Sequence, residues 1–194
     1  MNGVARKVQT TYLVLLLLHT LAASFIWGIN TLFLLDAGLS NTEAFAANAF
    51  FTAGMVIFEV PTGVLADTRG RRTSYLLGTI TLAFATLLYL LLWSVKAPLA
   101  AWAVASALLG LGFTFFSGAV EAWLVDALTF SEYMKQGGRL EDVFARGEIV
   151  EGIAMLGGSI AGGVVAQATS LGMPYLLRVG VLVLSFATAF ALMH

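Results

Sequence analysis

Charged side chains are scarce in this sequence, and only in Glu59-Val-Pro-Thr-Gly-Val-Leu-Ala-Asp-Thr-Arg-Gly-Arg-Arg72 do Gly, Asp and three Arg fall within ten residues. Asp67 with Arg69, Arg71 and Arg72 can form and exchange ion pairs. No nucleophile–base pair or phosphate loop accompanies them, so bond-making chemistry is not expected. Two further acids, Glu59 and Glu121, stand inside long apolar runs. An acid there is expensive and points to function by default, here proton coupling or gating, with a packing role as the alternative. His19 offers proton exchange or a hydrogen-bonded structural role. With His194 the only other histidine, no cysteine and no cluster at ligand spacing, neither a metal, a cofactor nor thiol chemistry is expected.

The surroundings of these residues are greasy. Of 194 residues, 59% are hydrophobic and 11% charged, against about 25% charged in a soluble domain. The solvent for most of such a chain is lipid, not water. Its basic residues sit in short turns, so the net charge of -1 gives no reason to expect nucleic acid. Apolar runs predict six membrane-spanning helices near residues 11–35, 44–66, 73–93, 99–125, 149–168 and 175–194. The first follows Arg6 and Lys7 and carries a passable signal-cleavage site at Leu21-Ala22-Ala23, but it continues well beyond it and reads as a span. Residues 126–148 are expected as a connecting loop with Gly137-Gly138 in its middle.

Lys and Arg divide eight to two between the two sides, with only Lys96 and Arg178 opposite the charged turn. By the positive-inside rule both termini are then cytoplasmic. Arg178 is expected to anchor the sixth span at the outer interface by snorkelling, with a cavity-facing position as the alternative.

Helix polarity makes a demand on the charged turn. Arg71 and Arg72 open a helix, where the dipole disfavours cations, and Asp126 closes one, where it disfavours acids. Pairing Arg71 or Arg72 with Asp126 would resolve both; the alternative is contact with lipid phosphates. Gly63 suits close packing and Gly70 a tight reversal.

The stretch Gly63-Val-Leu-Ala-Asp67-Thr-Arg-Gly70-Arg71-Arg72 resembles the motif G-x-L-a-D-r-x-G-r-r between helices two and three of major facilitator superfamily transporters. Thr68 replaces the usual basic residue, with Arg69 beside it. The six spans and the longer loop after the fourth agree with that family over the whole chain. Phe58-Glu59-Val-Pro61-Thr62-Gly63 and Gly118-Ala-Val-Glu121-Ala-Trp123-Leu-Val-Asp126 look like its drug and macrolide efflux branch. The resemblance implies an all-α membrane protein, the N-terminal six-helix half-bundle with a 3+3 inverted repeat. It implies a conformational latch at Gly63, Asp67, Gly70, Arg71, Arg72 and Asp126. Gly158-Ser159-Ile-Ala-Gly162-Gly163 resembles the antiporter motif G-P-x-x-G-G with Ser159 for proline; the alternative is small residues for close packing.

In that family's fold, helices one, two, four and five line the cavity. Helical spacing puts Thr20, Ser24, Trp27 and Thr31 on one face, with Asn30 nearby, and likewise Asn48, Thr52 and Glu59. Ser106, Gly110, Thr114, Ser117 and Glu121 share a face of the fourth span. The candidate substrate cavity is therefore Ser24, Trp27, Asn30, Thr31, Asn48, Thr52, Thr114 and Ser117. With no charge in the middle thirds of the spans, an amphipathic or hydrophobic small molecule suits it best.

The expected function is secondary active export from a bacterial inner (plasma) membrane, without cofactor, with a proton as candidate coupling ion. Rivals are a nutrient uptake permease of the same superfamily and a non-transporting membrane sensor or assembly protein. The last span stops after about 20 residues, barely one membrane thickness. The expected partners besides lipid are thus a missing C-terminal half or a second copy in parallel.

Overall fold

The computed structural model describes residues 3–193; Met1, Asn2 and His194, the end of the expected sixth span, lie outside it. Among the described residues there are helices and turns but no strand. Six segments are long and apolar enough to cross a membrane: Gly3–Trp27, Asn41–Arg69, Arg71–Ser94, Leu99–Phe130, Leu140–Ala168 and Met173–Leu192.

The first span is two helices, α1 (Gly3–Trp27) and α2 (Asn30–Asp36), separated by a turn at Gly28. Its start lies eight residues before the expected one, because Ala5 and Gln9 are buried in the bundle. A capping box opens α3 (Asn41–Arg69): the Ser40 N–H donates to Glu43 Oε2 at 2.9 Å and the Glu43 N–H to Ser40 Oγ at 3.3 Å. At 29 residues, α3 is about 43 Å long against about 30 Å of hydrocarbon, so its charged end reaches the membrane surface. Pro61 lies inside it, and the neighbouring Thr62 hydroxyl donates to the carbonyls of Phe58 and Glu59 at 2.8 and 3.1 Å. Gly70, at φ +91°, is the single residue between α3 and α4 (Arg71–Ser94). That left-handed backbone is open to glycine at little cost.

The fourth span is also broken, into α5 (Leu99–Thr114) and α6 (Ala119–Phe130), and Gly118 turns the chain at φ +66°. The carbonyls freed by the break are taken up by other helices. Thr62 Oγ1 also lies 3.2 Å from Thr114 O, sharing its single proton with that carbonyl, and Ser74 Oγ donates to Phe115 O at 2.8 Å. Without those hydroxyls the break would leave polar backbone unsatisfied at membrane depth.

The loop expected at 126–148 shrinks to 131–139, since α6 runs to Phe130 and α7 (Leu140–Ala168) starts nine residues before 149. Leu140, Val143, Phe144 and Gly147 recur at helical spacing and pack on α1: Val143 is buried, and the Phe144 ring meets Tyr12 edge-on at 6.3 Å. The last helix is α8 (Met173–Leu192).

Helix α1 packs chiefly on α7 and α8, α5 on α3 and α4, and α4 on α8. Two of these seams depend on glycine. A Cβ on Gly54 or Gly110 would strike the facing backbone of α5 or α3, and one on Gly162 the Phe25 carbonyl of α1. In lipid, such close backbone approach is a main source of helix–helix attraction, because burying apolar surface there gains little. At the end of the bundle away from Gly70, Phe33, Tyr89, Trp93, Trp102 and Tyr175 stack into one aromatic cluster, the closest centroids being Phe33 and Tyr175 at 4.0 Å. Each such pair adds about 0.5–1.5 kcal/mol beyond area burial. Helices α3 and α7 are the least covered, presenting Val56, Val60 and Val64 on one and Ile149, Ile153, Leu156 and Ile160 on the other.

Candidate functional site

Asn30 opens α2 just after the break at Gly28, so its amide reaches across to α3. It donates through Nδ2 to Asn48 Oδ1 at 2.9 Å, while its own Oδ1 accepts from the Tyr175 hydroxyl of α8 at 2.8 Å. This chain of three side chains ties three elements together at the edge of a cavity of about 280 Å³. Its walls are Ile26, Trp27, Asn30, Thr31, Asn48, Phe51, Thr52, Tyr89, Leu109, Phe113 and Arg178.

Five of the eight expected cavity residues, Trp27, Asn30, Thr31, Asn48 and Thr52, thus meet around one space. Ser24 and Thr114 do not line it. Ser24 is buried in the α1–α7 seam, donating to Leu21 O and Ala154 O at 3.0 and 3.2 Å. Thr114 donates to Leu111 O at 2.8 Å within its own helix. Both are satisfied within the helix packing. Ser117 lines a second cavity of about 250 Å³ on the other side of Phe113, with His19, Glu121 and Glu151. There, His19 Nδ1 and Glu121 Oε2 are buried without a hydrogen-bond partner among the described residues, and the His19 ring lies 4.2 Å from that of Phe116. Glu59 is exposed on α3, away from both cavities.

The charged turn is paired differently from the expectation. Arg71 Nη1 bonds Asp67 Oδ1 at 2.6 Å across one helical turn. Arg72 Nη2 donates to the Phe190 carbonyl at 2.6 Å, and its guanidinium lies 5.0 Å over the Phe190 ring. Asp126 joins neither arginine; it shares a groove with Lys7, and no ion pair within 4.0 Å involves it among the described residues. The physical reason is proximity: the last turn of α8 stands beside the first turn of α4, and its orphan carbonyls carry the negative end of a helix dipole. That end meets the electrostatic demand of Arg72, which local helix polarity alone made seem misplaced.

In the helix-five stretch, Gly158 and Gly162 face Ser24 and Phe25 of α1 too closely for a Cβ, whereas Gly163 faces open space. Close packing explains the first two and not the third.

Two residues went unnoticed or misplaced in the sequence. Arg178 does not snorkel: it is 1% exposed, facing inward, with its guanidinium carbon 5.7 Å from the Phe113 ring centre. Its register on α8 carried the signal, since it follows Pro174 and Tyr175, both buried, by four and three residues. Glu151 was hidden by the late start assigned to the fifth span; with α7 beginning at Leu140 it lies three turns in, facing Glu121. Comparison with models of known protein families and with curated protein sequences finds no match.

Proposed function

We propose that this chain is a six-helix half of a major facilitator-type secondary transporter that exports amphipathic or hydrophobic small molecules by alternating access. The observation that carries the proposal is the first cavity, where amides and hydroxyls from spans one and two converge with Trp27, Phe51 and Phe113. A few placed polar groups in an aromatic wall are what a small-molecule site needs. Non-helical backbone at Gly28, next to Trp27 of this cavity, and at Phe115–Gly118, along the second cavity, is tolerated at membrane depth where it is buried or lines a cavity.

The packing pattern supports a three-plus-three repeat. Spans one and four pack on five and six and on two and three respectively, and three packs on six; exchanging one with four, two with five and three with six reproduces the set. In this reading the exposed faces of α3 and α7 meet a second six-helix body, either a C-terminal half or a parallel copy. Asp67 and Arg71 act as the latch at the cytoplasmic surface, Glu121 with Glu151 and His19 carries the proton, and the membrane is a bacterial inner one. No bond is made or broken.

Everted vesicles with amphipathic dyes of positive, negative and no charge added to the outside medium test this, export being read as uptake into the lumen. Energy-dependent movement of at least one dye is expected, reduced about tenfold or more by Asn48→Leu, which removes the bond to Asn30. Accumulation in whole cells instead of depletion would convert the exporter to an uptake permease. No movement of any dye from a well-inserted protein would favour a non-transporting role.

A further inference from the structure

We infer that the cavity between α2, α3 and α8 binds an amphipathic anion, with Arg178 holding its carboxylate or similar oxyanion and Trp27, Phe51 and Phe113 its apolar body. The inference rests on the cavity being a ligand site, as proposed above, and names the class of ligand.

Arg178 is 1% exposed, and its Nε and Nη2 have no hydrogen-bond partner among the described residues. A guanidinium cannot escape burial by losing its proton. Charged groups inside membrane bundles therefore pair with an opposite charge or mark a ligand path. No acid pairs with Arg178 within 4.0 Å among the described residues. The nearby hydroxyls of Tyr175 and Tyr89, which bond Asn30 and Ser106, accept no hydrogen bond from Nε or Nη2. Among the described residues its guanidinium lies over one aromatic ring, Phe113 at 5.7 Å, a cation–π interaction of modest strength. A water molecule could take up a free N–H, but it could not neutralise the charge. An oxyanion does both, and a guanidinium offers it two parallel donors. Asn30, Asn48 and Thr52 on the facing wall supply neutral polar groups without a competing negative charge. The Glu121–Glu151 pair lies in the neighbouring cavity, with Phe113 forming a wall of both.

The test is binding of 2-naphthoate, 2-naphthylmethylammonium and 2-naphthol to the chain in phosphatidylcholine nanodiscs, read by quenching of tryptophan fluorescence. Naphthoate is expected to bind about tenfold or more tighter than the other two. Arg178→Gln should remove that preference, and Arg178→Lys should retain part of it. Asn48→Asp, which puts an acid in the same cavity, should abolish naphthoate binding while raising the thermal midpoint, showing that the loss is not unfolding. Equal affinity for the three probes, or naphthoate binding unchanged in a folded Arg178→Gln, overturns the inference. Displacement of naphthoate by added phosphatidylglycerol would assign the arginine to a lipid headgroup and overturn it as well. Anion preference in nanodiscs without dye movement in vesicles would leave this inference standing and remove transport.

Discussion

Asp67 and Arg72 lie five residues apart, yet the structure gives them separable jobs. The Asp67–Arg71 pair is solvent-facing, with 65% and 31% of the two side chains exposed, and surface pairs of that kind contribute about 0–1 kcal/mol. Arg72 instead bridges α4 to α8, taking up a carbonyl that α8 itself leaves unpaired. Asp67→Asn is therefore expected to leave unfolding in mixed micelles within about 0.5 kcal/mol of the parent while impairing transport, if the latch reading holds. Unchanged flux would remove the latch. Arg72→Ala is expected to cost about 1–2 kcal/mol, with Arg72→Lys restoring part of it. Equal stability losses for Asp67→Asn and Arg72→Ala would contradict this division.

Among the helices, the crossed seams α1–α7 and α3–α5 are where backbone comes closest to backbone. Gly110 faces the Phe51 carbonyl and Gly162 the Phe25 carbonyl, groups that cannot swing aside as a side-chain tip can. Alanine at either position is expected to destabilise the bundle by about 1–3 kcal/mol, the usual result of overpacking. Gly163→Ala and Gly157→Ala, which meet open space inside a helix, should instead stabilise by about 0.4–1 kcal/mol. Unfolding by a denaturing detergent gives the comparison directly. Equal effects at Gly162 and Gly163 would mean that the seam is not held as the structure has it. The same seams explain why the glycine-rich stretch of α7 attracts attention in the sequence: a small-residue pattern serves packing and a transport motif equally well.

At the scale of the whole molecule, the absence of cysteine makes topology simple to measure. Lys135 and Lys96 are both exposed, at opposite ends of the bundle, so each can carry a single introduced cysteine. With the positive-inside orientation, a membrane-impermeant maleimide should label Lys96→Cys in intact cells and Lys135→Cys only after lysis. The reverse pattern would invert the assignment of the charged turn to the cytoplasmic surface. Under the proposed function the little-covered faces of α3 and α7 lie against a second six-helix body. Their stripes of valine, isoleucine and leucine suit protein or lipid equally.

Local properties of the chain were legible in the sequence because they depend on nearest neighbours along it. Six apolar runs of membrane length demand lipid, and Ser40 with Glu43 marks a helix start. Helical periodicity put Trp27 with Thr31, and Asn48 with Thr52, on shared faces, which the structure turns toward a single cavity. What periodicity cannot supply is the rotation of one helix against another, and the placing of Arg72 and Arg178 depended on that. Arg72 meets a carbonyl 118 residues away, and Tyr175 an amide 145 residues away. Arg178 turns inward because α8 packs on α1 and α4 through that face. The helix breaks at Gly28 and Gly118 were visible only as glycines. Their depth in the bundle is tolerable because, at the second of them, hydroxyls from α3 and α4 bond the carbonyls the break exposes. Those partners exist only once the helices are side by side.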